Sequence, residues 1–145
     1  SFVRILEDFL GFSRVDGAFL VGAGSLGSAL LQDKGLSAFG LQIEAAFDTD
    51  KTKIGTKVND IEIFHIDQFR AMAAERKVVI GIITVPAEHA QNVADLMVAW
   101  GIKAIWNFTP ARIKVPTHIV VQNTTIYMNL AILFNKLYND KGEKK

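Results

Sequence analysis

The strongest chemical signal in the chain is the run Gly22-Ala23-Gly24-Ser25-Leu26-Gly27. It follows the apolar stretch Ala18-Phe19-Leu20-Val21 and opens an amphipathic segment, so it reads as a turn between a buried strand and a helix. Each glycine has a task there. Gly22 permits a tight turn, Gly24 lets backbone approach a pyrophosphate, and Gly27 lets the helix pack closely on the sheet. N–H groups at the helix start then face the diphosphate, aided by the helix dipole. A valine at position 24 is expected to block that approach and to strain a backbone suited to glycine. The same pattern without a ligand is simply a glycine-rich strand–helix turn.

A second element is Asp48, 21 residues beyond Gly27 and followed by Thr49. A carboxylate at the end of a second strand can accept hydrogen bonds from both adenosine ribose hydroxyls, and it repels a 2′-phosphate. NAD(H) is therefore favoured over NADP(H). Asp50 competes for the role, Lys51 is the cation that could soften the discrimination, and a solvated Asp-x-Asp turn is the bland alternative. Thr84-Val85-Pro86-Ala87 stands at the end of a fourth strand, where ligands of open α/β sheets sit. Asn107-Phe108-Thr109-Pro110 closes a fifth and is a candidate wall near the nicotinamide, with Phe108 serving either the core or a stacking contact.

Catalytic groups are scarce. Hydride transfer needs a proton donor or acceptor beside the reacting carbon. His89 is the one histidine near an expected ligand end, and no Tyr-x-x-x-Lys spacing occurs. The chain contains no cysteine, which excludes disulfides, thiolate metal sites and cysteine nucleophiles. His65, His89 and His118 stand far apart, without the spacing of metal ligands. No catalytic residue, no metal site and no enzymatic activity are expected.

The elements that would position these residues alternate. A short helix over 2–11 comes first, then strands at 18–21, 41–48, 61–64, 78–85, 103–108 and 118–122. Helices are expected over about 25–32, after Asp67 as N-cap, over about 88–100 and from about Thr124 to Tyr138. Strands alternating with helices imply a doubly wound, mostly parallel α/β sheet with helices on both faces.

The 145 residues suit one domain, and 50% hydrophobic content suits a packed core. Sixteen basic and fifteen acidic side chains are too balanced for bulk electrostatic binding of nucleic acid. The charge is uneven, with nine basic and thirteen acidic groups through residue 102 and seven and two thereafter, and Lys141, Lys144 and Lys145 form a basic tail. No apolar run reaches membrane-spanning length, and a cytoplasmic location is expected.

Several further blocks carry a resemblance. The glycine run extended through Ser28-Ala29-Leu30, then Ala45-Ala46-Phe47-Asp48-Thr49-Asp50 and Lys53-Ile54-Gly55, resemble the Rex family of redox-sensing transcriptional repressors. So do Val85-Pro86-Ala87-Glu88, Gly101-Ile102-Lys103, Asn107-Phe108-Thr109-Pro110 and Val115-Pro116, in the family's order over about residues 18–123. The resemblance implies a Rossmann-type domain that binds NADH and NAD⁺ and senses their ratio. It implies residues 1–123 as the NAD(H)-binding unit and 124–145 as a dimerisation helix with its basic tail. It also implies DNA binding only through a winged-helix domain, which this sequence does not contain. Where the family usually has an aspartate opening the last helix, which helps couple ligand state to the DNA-binding domain, Thr125 stands here; the resemblance then implies intact dinucleotide binding without the family's usual switch residue.

The homodimer has support from the residues themselves. Ten of the thirteen residues from Ile126 to Tyr138 are apolar, so a helix there must be covered on several sides. Insertion between two subunits would do so, as would a large core. A dehydrogenase fragment, a CoA-binding domain of the same fold, and a dimerisation domain without ligand are the alternatives to a redox-sensing module.

Overall fold

The computed structural model describes residues 17–32 and 42–124. The expected helix over 2–11, the apolar helix following Thr124 and the basic tail lie outside them.

Seven strands form one sheet: β1 (Ala18–Val21), β2 (Ile43–Asp48), β3 (Lys57–Val58), β4 (Ile61–His65), β5 (Ile80–Ile83), β6 (Ala104–Asn107) and β7 (Val120–Asn123). Their order across the sheet is β3-β4-β2-β1-β5-β6-β7, and every pairing is parallel except β3 with β4. Three helices are described: α1 (Ser25–Leu31), α2 (Phe69–Arg76) and α3 (Ala87–Ala99). The expected doubly wound α/β architecture is therefore present.

β1 and β5 lie at the centre because they can. Ala18-Phe19-Leu20-Val21 and Ile80-Gly81-Ile82-Ile83 carry no polar side chain and are buried at every position. Alternate residues feed two cores. Ala18, Leu20, Ile80, Ile82 and Trp106 pack with Leu30 and Leu31 of α1 on one face. Phe19, Val21, Phe47, Ile83 and Ile105 pack on the other with Phe69 and Ala73 of α2 and Ala90, Ala94 and Met97 of α3. On that second face Phe19, Phe47 and Phe69 bring their ring centroids within 4.9–5.3 Å. Such tilted and edge-on contacts add to the area these rings bury. Gly81 sets the approach of α3, since a Cβ there would collide with the Met97 sulfur.

Three local expectations change. The expected strand over 78–85 narrows to Ile80–Ile83, because Thr84 already turns its hydroxyl onto the end of β1. Asp67 does not cap α2. The chain leaves β4 through a 3₁₀ turn, Ile66–Gln68, in which the Asp67 N–H donates to the His65 imidazole at 3.0 Å. α2 then starts after Gln68, which makes no side-chain cap bond. Strand β3 was not expected. It is two residues long, too short for an alternating pattern, and it pairs with β4 through the two-residue turn Asn59-Asp60. Both turn residues have positive φ, 52° and 67°, the signature of a type I′ hairpin. The Asn59 side chain also donates to the Leu31 carbonyl at 3.2 Å, closing the end of α1.

Candidate functional site

β1 continues to β2 on one side of it and pairs with β5 on the other, so a crevice opens beyond the carboxyl ends of β1 and β5. A cavity of about 470 Å³ occupies that place. Its walls come from five segments: Val21, Gly22 and Gly24 at the end of β1, Asp48, Thr49, Asp50 and Lys53 at the end of β2, Ile66 after β4, Thr84 to Pro86 after β5, and one face of α3. The volume lies within the ordinary range of small-molecule sites.

The glycines divide the work in the expected way, with one difference. Gly22 has φ +108°, and a Cβ there would come within 2.7 Å of the Thr84 backbone, so this turn admits glycine. Gly27 faces the Gly22 carbonyl so closely that a Cβ would overlap it. Gly24 borders the cavity, and a Cβ added there would meet nothing within 4 Å. Its φ of −74° and ψ of −158° are extended, so the backbone strain expected for a larger residue is absent. What Gly24 preserves is space.

Asp48 closes the turn from the other side. Its Oδ2 accepts the Ala23 N–H at 2.8 Å, and its Oδ1 accepts the N–H groups of Thr49 and Asp50 at 2.7 and 3.0 Å. Asp50 takes a separate part. Its Oδ1 accepts the Thr52 hydroxyl at 2.7 Å and the Thr52 N–H at 2.9 Å. The hydroxyl first, the N–H next, and the charge of Lys53 to a smaller extent hold the Asp50 carboxyl below its ordinary value. Lys51, the cation expected nearby, is exposed, whereas Lys53 reaches the cavity and donates to the Ala23 carbonyl at 2.7 Å.

The remaining candidate residues divide. Gly22, Gly24, Asp48, Thr49, Thr84, Val85 and Pro86 meet at the cavity. Ala23 is buried behind the turn and Gly27 lies beneath it, while Ser25 and Leu26 begin α1. Thr84 directs its hydroxyl to the Gly22 and Val21 carbonyls, at 2.7 and 3.1 Å, and so joins β5 to the turn. Asn107 and Phe108 are not among the cavity walls. Asn107 is fully buried, donating to the Ala111 carbonyl and Asn123 and accepting the N–H and hydroxyl of Thr109. Phe108 stacks on Trp106 with centroids 5.0 Å apart. Cavity residues to which the sequence pattern gives no part in the site include Lys53, Ile66, Asn92, Val93 and Leu96. With His89, the last three follow the i, i+3, i+4, i+7 spacing of one helix face, which marks a face but not what it meets.

Comparison with known proteins fits this geometry. A family profile described as the CoA binding domain matches residues 16–111. A redox-sensing transcriptional repressor Rex of Bacteroides fragilis is 57% identical over 137 residues, covering 94% of this chain and 62% of that protein. The crystal structure of RSP, a Rex-family repressor, superposes with a TM-score of 0.76 at 30% identity, covering 97% of this chain and 68% of that one. The chain belongs to the Rex family. This Rex-family chain spans about three-fifths (62%) of the length of the curated relatives it matches. RSP has also been solved with β-NADH, and with β-NAD⁺ and operator DNA, each at a TM-score of 0.75.

Proposed function

We propose that this domain is the NAD(H)-binding, redox-sensing part of a Rex-type transcriptional repressor and that it responds to the ratio of NADH to NAD⁺. The carrying observation is the cavity at the strand ends, where Gly24 leaves open space and Asp48 stands at the end of β2. The open face at Gly24 suits close backbone approach to a diphosphate. Ile66, Val85, Val93 and Leu96 supply apolar surface against which an adenine ring would lie, and Asp48 faces the position of its ribose. Asp48 favours free ribose hydroxyls over a phosphorylated ribose, because two anions in one cavity repel. When bound, the dinucleotide supplies a nicotinamide ring whose charge differs between its two redox states. The protein's residues bind and orient it.

The relatives are named as repressors, so a binding role is proposed in preference to a catalytic one. The readout would pass through a homodimer built on the apolar stretch after Thr124, which the sequence pattern predicts to be helical, and through a winged-helix segment. Among the described residues no helix is long and apolar enough to cross a membrane. The proposed location is the cytoplasm, where the dinucleotide pool and the genome of a bacterium meet.

The match to a CoA-binding profile favours a second reading, in which the adenosine end belongs to CoA. Calorimetric titration with NADH, NADPH and CoA decides between them. Tight NADH binding with both phosphorylated ribose ligands much weaker is the expected result. Preference for CoA overturns the redox-sensing reading.

A further inference from the structure

Ala23, at the middle of the glycine turn, is held from two sides by opposite charges. Its N–H donates to Asp48 at 2.8 Å, and its carbonyl accepts the Lys53 ammonium at 2.7 Å and the Ser28 hydroxyl at 3.1 Å. Lys53 is itself fixed by the loop that carries it. Its N–H donates to the Asp50 carbonyl at 3.0 Å, and its own carbonyl accepts the Thr56 hydroxyl and N–H at 2.6 and 3.1 Å. Gly55 and Thr56 then anchor this loop to Ile63 of β4. A long, flexible side chain thus starts from a backbone with little freedom, which lowers the entropy of holding its charged end in one place.

The Ala23 carbonyl belongs to the peptide that carries the Gly24 N–H. In a trans peptide the two point in opposite directions, so fixing the carbonyl fixes the N–H. Gly24 borders the cavity, and this peptide plane is one that a bound diphosphate would meet. We propose that Lys53 is a positioning residue of the dinucleotide site: by clamping the Ala23 carbonyl it holds the Ala23–Gly24 peptide in the orientation that receives the diphosphate, and it sets affinity for ligands that contain one. The inference rests on the reading of the cavity as an NAD(H) site.

The test compares the unchanged chain with Lys53→Met, which keeps the stem and removes the donor, and with Lys53→Arg, which keeps a cation and donors. NADH and ADP-ribose are titrated directly, and adenosine by competition with bound NADH. Lys53→Met should weaken NADH and ADP-ribose by about 10-fold each and adenosine by less than about 2-fold, as expected for loss of a charged hydrogen bond acting on the diphosphate. Lys53→Arg should recover most of the loss. The melting temperature of ligand-free Lys53→Met should stay within about 3 °C of the unchanged chain. Normal NADH binding by Lys53→Met overturns the proposal, as does an equal loss for adenosine or a large fall in melting temperature, which would make the lysine a general structural tie. If the unchanged chain binds no NADH, the NAD(H) reading itself fails and the proposal fails with it.

Discussion

Asp48 accepts three backbone N–H groups, and an ionised carboxylate offers about four acceptor positions. A ribose hydroxyl must therefore share an oxygen with the turn that Asp48 organises, which ties sugar recognition to the geometry of the phosphate turn. NADH is expected to bind at least about 10-fold more tightly than NADPH, a difference of about 1.4 kcal/mol. Asp48→Ala should narrow that gap and also destabilise the fold by about 1–3 kcal/mol, since the buried Ala23 N–H loses its acceptor. Parallel titrations and denaturant melts measure both, and equal affinities in the unchanged chain would remove Asp48 from the role. Gly24→Val separates binding from folding. Its backbone is unstrained and its Cβ meets nothing, so the variant should melt like the unchanged chain yet lose NADH. Asp50 gives a pH signature. Its carboxyl is lowered in the fold, so its stabilising contribution is complete above the ordinary value of 3.8 and is lost as pH falls through the lower folded value. The melting difference between the unchanged chain and Asp50→Asn should shrink as pH falls below the ordinary value of 3.8.

Two glycines do different work at the scale of elements. Gly27 lets α1 lie against the Gly22 carbonyl, and Gly81 lets α3 lie against β5. Neither has a ligand to receive, so replacing either should act on the fold. Gly27→Ala forces α1 away from backbone that cannot yield, and both stability and binding should fall together. Gly81→Ala meets Met97, a flexible side chain, and the site should survive a loss of about 1–3 kcal/mol. Denaturant melts beside NADH titrations distinguish the two patterns. Gln91 ties another pair of elements. It donates to the Lys114 carbonyl and accepts the Lys114 N–H, at 2.8 and 2.7 Å, and so fastens the loop before β7 to α3.

For the molecule as a whole, the apolar stretch from Ile126 to Tyr138 argues for assembly. A homodimer should be seen by light scattering at micromolar concentration. Leu133→Asp should dissociate or precipitate it, because an unpaired carboxylate in apolar surroundings is expensive. A stable monomer would remove the interface from the proposal. The balanced charge of the chain adds no general attraction for nucleic acid.

Local patterns made much of this protein legible. Runs such as Ala18–Val21 and the β-branched stretch that contains Ile80–Ile83 read as buried strands, and the spacing of Gly22 and Gly27 marks the turn and the close helix packing that the structure shows. The position of Asp48 at the end of β2 follows from its distance along the chain from the turn and from the strand before it. What the sequence could not decide depended on contacts between segments far apart. Lys53 lies 30 residues from Ala23, and only the folding of the 50–56 loop against β4 brings its ammonium to the turn in place of Lys51. Thr84 lies 62 residues from Gly22, and the pairing of β1 with β5 turns its hydroxyl into a tie between strands. Asn107 and Phe108 carry groups suited to a ligand, but the tertiary structure surrounds them with Thr109, Asn123 and Trp106. Spacing along one chain fixes which residues share an element. Which elements meet, and which polar groups they satisfy, is settled by packing, because a buried donor or acceptor takes whatever partner the fold brings within about 3 Å.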